Sequence, residues 1–149
     1  MRFNSVYDQR QAMRLLTIYA PKLFLLFERR IAEAGFIIQD RAYEKTSSGE
    51  VIPVLTVKSA RLTSKLYLRN SLDEFLTLDR EDEPSRLDHR LVDPAYAQKK
   101  LADIVDGRIA LLIAMNESKS QEEFKVKIKA LVSRFAYLRY WYNDKEESK

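Results

Sequence analysis

The chain has 149 residues, of which 46% are hydrophobic and 32% are charged, and its formal net charge is +4. This composition is typical of one domain with a sizeable core, and it excludes a disordered chain. The absence of cysteine excludes disulfides and cysteine-ligated metals. No apolar run approaches the roughly 18 residues of a membrane-spanning helix, and the N-terminus has no signal-peptide pattern. We therefore expect a cytoplasmic protein with no membrane partner.

The N-terminal segment has the spacing of a helix. Asp8, with a glutamine three residues later, has the form of a capping box and predicts a helix start. Gly35 is a natural cap at the far end. Pro21 interrupts the pattern, and because proline disrupts a helix interior we predict a break there, with Pro21 opening a second helix. Residues 23–31 are apolar on more than one side, which predicts burial or cover by a partner.

The segment after Gly35 predicts a small antiparallel sheet of three or four strands at about residues 36–79. Its strands alternate in side-chain character or are rich in β-branched residues. Pro53 cannot donate to a ladder, so the second strand is predicted to be an edge or bulged at that point. The predicted strands are residues 36–45, 51–58, 62–69 and 75–79.

Side-chain parity predicts two different faces for this sheet. One face carries isoleucines and leucines and is expected to pack against helices. Residues 41–69 hold six basic residues against two acidic ones, which concentrates positive charge on the sheet. The other face is therefore predicted to be basic and to bear two tyrosines. Its members are Arg41, Tyr43, Lys45, Arg61, Lys65, Tyr67 and Arg69.

An acidic segment follows the sheet. Residues 73–93 hold eight acidic residues against three arginines, which predicts a charged partner or pairing with the basic sheet. Residues 79–90 are predicted to be a polar, exposed connector. A nuclease or hydrolase would use such groups to hold Mg²⁺ or to move protons, although metal ligands usually lie on rigid elements. The groups concerned are Asp79, Glu81, Asp82, Glu83, Asp88 and the sole histidine, His89.

Two helices are predicted after the connector. Asp93 and Pro94 form an N-cap and first helical position, and the helix runs over about residues 94–117. Ser120, with a glutamate three residues later, is a capping box for a second helix over about 121–142. The short link between these helices favours an antiparallel hairpin.

These elements predict an α+β fold with one domain at residues 1–142 and a polar tail at 143–149. The order is an N-terminal helical segment broken near Pro21, the antiparallel sheet, and a C-terminal helix hairpin.

The end of the last predicted helix is rich in aromatic residues that cover more than one helix face. Tyrosine, tryptophan and arginine are enriched at protein interfaces, so this end predicts a partner or self-association surface. An equally good interpretation is a helix clamped between the sheet and the N-terminal helices. The candidate interface residues are Arg134, Tyr137, Tyr140 and Trp141.

No glycine-rich phosphate loop, nucleophile elbow or serine–histidine–aspartate set can be assigned, so no catalytic residue, metal or cofactor is predicted. A non-catalytic binding module is favoured over an enzyme. The leading hypothesis is an accessory subunit of a nucleoprotein assembly that binds single-stranded nucleic acid through the basic sheet face. The same alternation is also ordinary for the solvated face of an antiparallel sheet.

Two alternatives are kept. The first is an assembly or adaptor protein that binds another protein, or itself, through residues 23–31 and the aromatic helix end. The second, least favoured, is a metal-dependent hydrolase or nuclease that uses the acidic connector.

Overall fold

The computed structural model describes residues 3, 5–45, 49, 51–78 and 86–135. Within these residues the α+β prediction is confirmed. A three-stranded antiparallel sheet is preceded by one helix along the chain and followed by the others. No helix in this part of the chain is long and apolar enough to cross a bilayer. The elements are α1 (Val6–Glu33), β1 (Ile37–Lys45), β2 (Val51–Lys58), β3 (Thr63–Tyr67), α2 (Leu68–Leu76), a 3₁₀ turn (His89–Val92), α3 (Pro94–Glu117) and α4 (Gln121–Arg134).

Helix α1 runs through Pro21 without interruption, so the predicted break is wrong. Proline removes only one intrahelical hydrogen bond, the one to the carbonyl of Thr17. Both residues are exposed, so water can solvate that carbonyl. Beyond the proline, Leu23, Phe27 and Ile31 are fully buried at one-turn intervals. Packing of this stripe outweighs the local defect and keeps one helix.

Helix α1 begins one turn earlier than predicted. Ser5, not Asp8, is the N-cap, and its Oγ accepts a hydrogen bond from the Asp8 backbone N–H at 3.0 Å. At the other end Ala34 is the C-cap and Gly35 follows with φ +85°. That left-handed conformation favours glycine, so the predicted helix end at Gly35 is confirmed, although the C-cap residue itself is Ala34.

Both predicted starts of the C-terminal helices are confirmed. Asp93 Oδ1 accepts from the Ala95 N–H at 3.2 Å, with Pro94 as the first residue of α3. Ser120 Oγ accepts from the Glu123 N–H at 3.1 Å at the start of α4. The described part of α4 ends at Arg134, and the predicted remainder lies outside the described residues.

The sheet has the order β1-β2-β3 with antiparallel neighbours. Among the described residues, β3 pairs with the second half of β2, from Val54 to Lys58, and the first half of β2 pairs with β1 alone. Pro53 lies in that first half, opposite Tyr43, in agreement with the predicted edge character. β1 and the first half of β2 therefore form a two-stranded ribbon that extends beyond the three-stranded part of the sheet.

The predicted fourth strand at residues 75–79 is wrong. The chain turns into α2 directly after β3, because Leu68 and Phe75, seven residues apart, face the core with 1% and 0% exposure. Thr77 makes only an isolated bridge to Leu87.

The core lies between the helices and one side of the sheet. Leu55 and Val57 of β2 belong to it, with 3% and 0% exposure. Tyr19 of α1 and Phe75 of α2 meet there with ring centroids 5.3 Å apart. The principal helical contributions are Leu15, Leu23, Phe27, Ile31, Leu72, Leu76, Ala97, Leu101, Val105, Ile109 and Leu112.

The predicted exposed connector is wrong for the residues that lead into α3. Leu87, Asp88 and Leu91 are buried, with 1%, 0% and 1% exposure. Leu87 and Leu91 are four residues apart and anchor this segment on the core. Residues 79–85, the rest of the predicted connector, lie outside the described residues.

Candidate functional site

One irregularity in β1 sets the faces of the sheet. Ile38 lies opposite Val57 but Asp40 lies opposite Thr56, so β1 contains one extra residue, Gln39. Such a β-bulge shifts the alternation of its strand by one residue. Directly opposite residues of paired strands point to the same side. After Gln39, the odd-numbered residues of β1 therefore share a side with the odd-numbered residues of β2.

The bulge places three of the predicted basic-face residues on the core side of the sheet. Arg41 lies opposite the buried Leu55, and Tyr43 and Lys45 share its side by alternation. All three side chains are exposed. Arg41 reaches α1, where its Nε and Nη2 each donate to Glu28 Oε1 at 3.3 Å. Arg41, Tyr43 and Lys45 therefore lie together, apart from the other four residues of the predicted basic face.

The opposite side of the sheet, called the open face below, carries Lys65 and Tyr67. They lie opposite Thr56 and Val54 of β2. Both are exposed, Tyr67 to 45%. Two residues apart on one strand, they are separated by about 7 Å. Other exposed residues of this face are Ile37, Asp40, Ala42, Lys58 and Thr63.

Arg61 and Arg69 flank the two ends of β3. Arg61 lies in the β2–β3 turn, where its N–H donates to Ser59 Oγ at 3.3 Å. Ser59 Oγ in turn donates to Asn116 Oδ1 of α3 at 2.6 Å, which fixes the turn to the helical layer. Arg69 lies in the first turn of α2, with its Nε 3.8 Å from Glu44 Oε1. Both arginines are exposed and bracket the open-face residues of β3.

The cations of the predicted set differ in their partners. Lys45, Arg61 and Lys65 make no ion pair with any carboxylate among the described residues. Arg41 and Arg69 do make one each, but both pairs are on the surface. Surface ion pairs contribute about 0–1 kcal/mol, so a phosphate can displace the carboxylate at little cost.

Positive charge on the open face lies along β3 and its flanks and at Lys58 of the neighbouring strand β2. The β1 side of the same face carries the carboxylates of Asp40 and Glu44. An anionic ligand on this face is therefore drawn to β3, one of the two edge strands of the described sheet, and away from β1.

The predicted interface at the aromatic helix end is described only at its start. Arg134 is exposed, and its guanidinium carbon lies 5.0 Å from the ring centre of the buried Phe135. Tyr137, Tyr140 and Trp141 lie outside the described residues, so this interface stays a prediction.

The apolar segment at residues 23–31 belongs mostly to the core. Leu23, Phe27 and Ile31 have 0% exposure and cannot contact a partner. Leu25 differs, because it is 66% exposed.

A second cluster of charged side chains surrounds a buried carboxylate. Asp88 is 0% exposed and accepts hydrogen bonds at 2.9 Å from Arg90 Nε and Lys100 Nζ. Tyr96 Oη donates to the same carboxylate at 2.7 Å. Lys100 Nζ also donates to the Thr77 carbonyl at 3.0 Å. This Asp88 cluster fastens the 3₁₀ turn to α3 and to the segment that follows α2.

The electrostatics of the Asp88 cluster follow from burial and pairing. Burial alone would raise the pKa of Asp88, but the hydrogen bonds from Arg90, Tyr96 and Lys100 outweigh it and hold the pKa well below its usual range. Burial, with the hydrogen bond to Asp88, raises the pKa of Tyr96 to about 12. Burial lowers the pKa of Lys100, although Asp88 opposes this effect. The carboxylate is occupied by the protein's own donors, which is a structural role.

The acidic segment assembles no metal site within the described part of the chain. His89 is exposed, and its Nε2 lies 3.5 Å from Asp8 Oδ1. Among the described residues, no three histidine, aspartate or glutamate side chains are grouped so that they could hold a metal ion. The remaining candidates, Asp79, Glu81, Asp82 and Glu83, lie outside those residues.

The sequence interpretation missed the Asp88 cluster because the segment is rich in charge. The available signal was the pair Leu87 and Leu91, one helical turn apart on either side of Asp88. Apolar residues at that spacing within a polar stretch indicate that the segment packs against the core.

No protein-family model, no curated protein and no solved structure matched this chain. What the protein does is therefore inferred from the geometry of its own side chains.

Proposed function

We propose that the protein is a non-catalytic binding module that contacts single-stranded nucleic acid through the open face, as an accessory subunit of a nucleoprotein assembly. The contact residues are Arg61, Lys65, Tyr67 and Arg69. Arg41, Tyr43 and Lys45 are left out, because they share the opposite side of the sheet.

The observation that carries this proposal is the row of exposed side chains along β3 and its flanks. Tyr67 offers an aromatic ring on which an unpaired base can stack, and Lys65 offers a cation within about 7 Å along the strand. Arg61 and Arg69 extend the positive charge at either end. Stacking and phosphate neutralisation together are the two interactions that single-strand-binding surfaces use.

The row is also held rigidly, which lowers the cost of binding. β3 is hydrogen-bonded to β2 along its whole length, from Thr63 to Tyr67. The turn that carries Arg61 is tied to α3 through Ser59 and Asn116. The side chains therefore lose little backbone freedom when a strand binds.

The test is fluorescence anisotropy with labelled oligo-dT and oligo-U of about 12 nucleotides, within the roughly 4–16 nucleotides that a single OB-fold domain covers. Arg61→Glu with Lys65→Glu should reduce affinity about tenfold or more, because two phosphate contacts become repulsive. The matched control is Arg41→Glu with Lys45→Glu, which makes the same charge change on the other side of the sheet. This control variant should keep most of the wild-type affinity for the oligonucleotides.

The salt dependence gives an independent count of contacts. Each phosphate contact to a single strand contributes about −0.7 to the slope of log K against log salt concentration. Lys65→Ala should reduce that slope by about 0.7. If wild-type protein fails to bind either oligonucleotide, or if both double variants bind as tightly as wild type, the proposal is wrong.

A further inference from the structure

A shallow groove lies between α1 and α3, on the helical side of the molecule. Leu25, Leu26 and Leu101 form its apolar floor, and its volume is about 270 Å³. Lys22 and Arg29, one on each side of Leu25 along α1, line it with positive charge. Leu25 is 66% exposed, so it is accessible to a ligand that lies between the two cations.

The groove is preformed. Arg30 Nε donates to Asp106 Oδ1 of α3 at 3.0 Å, next to the Arg29 end of the groove. Leu101 is 4% exposed and belongs to the core, so α3 cannot shift without disturbing the core. A ligand would find the floor already in place.

The carboxylates of α1 have basic neighbours, whereas its exposed cations form no ion pair among the described residues. Its three carboxylates all have a cationic or histidine neighbour, since Glu28 pairs with Arg41, Glu33 pairs with Arg30, and Asp8 lies 3.5 Å from His89. Among the described residues, no carboxylate forms an ion pair with the exposed cations of the helix. These are Arg10, Arg14, Lys22 and Arg29.

The shape selects a class of ligand. The groove is open, whereas pockets for small molecules bury most of the surface of their ligand. Nucleic-acid phosphates would contact the cations but leave the three leucines without a partner. A protein side chain can fill the apolar floor while its neighbours reach the cations, as in helix-in-groove recognition.

We propose that the groove between α1 and α3 binds a segment of another protein that presents an apolar side chain flanked by carboxylates. The apolar side chain lies on Leu25, Leu26 and Leu101, and the carboxylates pair with Lys22 and Arg29. This site is on a different surface from the open face and does not depend on nucleic-acid binding.

The test begins with the photo-cross-linking amino acid benzoylphenylalanine in place of Leu25, in the native host. The matched control carries it in place of Val126, which is 71% exposed on α4 and does not line the groove. We expect a polypeptide adduct from position 25 that is missing from position 126. Mass spectrometry of the adduct should map a segment in which aspartate or glutamate lies within one helical turn of the cross-linked residue.

A synthetic peptide of the mapped segment then tests the chemistry by calorimetry with the purified chain. Lys22→Glu with Arg29→Glu should reduce its affinity about tenfold or more, because two ion pairs become repulsive. Arg10→Glu with Arg14→Glu, the same charge change elsewhere on α1, should have a smaller effect. The proposal is overturned by the absence of a polypeptide adduct, by an adduct to nucleic acid, lipid or a second copy of this chain, by a basic mapped segment, or by an unchanged peptide affinity in the groove variant.

Discussion

The Asp88 cluster and the open face use the same kinds of charged side chain in opposite ways. In the cluster, Asp88 is hidden from solvent and its oxygens receive donors from Arg90, Tyr96 and Lys100. On the open face, Lys65 is exposed and pairs with no described carboxylate. A buried charge is tolerable only when it is fully paired, whereas an exposed cation is stable in water alone. The first arrangement serves the fold, and the second stays available to a ligand.

The largest expected effect comes from removing the buried charge of Asp88. Asp88→Asn keeps the shape but removes the charge, so Lys100 is left buried without its counter-ion. We expect a loss of about 3–5 kcal/mol in the free energy of unfolding, as for other broken buried pairs. Urea unfolding followed by circular dichroism measures it.

The control for Asp88→Asn is Asp40→Asn, an exposed aspartate on the open face. It should change stability by less than about 0.5 kcal/mol. A cost below about 1 kcal/mol for Asp88→Asn would mean that the cluster does not hold the fold.

The next largest effect is expected at Tyr67 on the open face. Tyr67→Leu removes the ring but keeps an apolar side chain, and it should cost about 1–3 kcal/mol of oligonucleotide binding if one base stacks there. Tyr43→Leu makes the same change on the core side of the sheet and should cost much less. Anisotropy titrations of both variants separate the two sides. Equal losses would show that the bulge does not divide the site.

Tyr96 gives a pH-dependent test of the cluster. Its pKa is raised to about 12 in the fold, against about 10 in an unfolded chain. The stability it contributes is therefore fully present below about pH 10 and lost as the pH rises from 10 to 12. Tyr96→Phe should cost about 1–2 kcal/mol at neutral pH and flatten this alkaline loss.

Urea unfolding at pH 8, 10 and 11 checks the Tyr96 prediction. Tyr7→Phe, at a tyrosine that is 68% exposed, is the control and should leave the alkaline loss in place. An unchanged pH profile in Tyr96→Phe would contradict the assigned hydrogen bond to Asp88.

The smallest effect is expected at the surface ion pair between Arg41 and Glu28. Both partners are about half exposed, at 53% and 42%. Glu28→Gln should cost less than about 1 kcal/mol, because water screens such pairs. Thermal unfolding at low and at high salt measures it. A loss of unfolding free energy as large as that of Asp88→Asn would show that surface and buried ion pairs stabilise this protein equally.

Features set by a few neighbouring residues could be predicted from the sequence. The N-caps at Asp93 and Ser120 and the helix end at Gly35 follow from chemistry within one turn of the chain and are confirmed, whereas the N-cap predicted at Asp8 is wrong because Ser5 takes that place. Features decided by packing were not predictable in this way. Pro21 remains inside a helix because the stripe beyond it is buried, and α2 forms where its spaced apolar residues meet the core.

The candidate site was predicted in part. Residue type and exposure were right for the basic and aromatic side chains of the sheet, since all seven are exposed. Their division between two sides was not predictable, because the extra residue Gln39 leaves no mark in the alternation of β1. The burial of Asp88 was missed because it depends on donors from Tyr96 and Lys100, which lie on the next helix.

The most direct test of the open face is a ¹H–¹⁵N correlation spectrum of the whole chain, titrated with the oligo-dT used for anisotropy. We expect chemical-shift changes at Arg61, Lys65, Tyr67 and Arg69, with much smaller changes at Tyr43 and Lys45 and none at Lys100. Changes concentrated at Tyr43 and Lys45, or on α1 alone, would place the nucleic acid elsewhere. A spectrum that does not change would contradict nucleic-acid binding altogether.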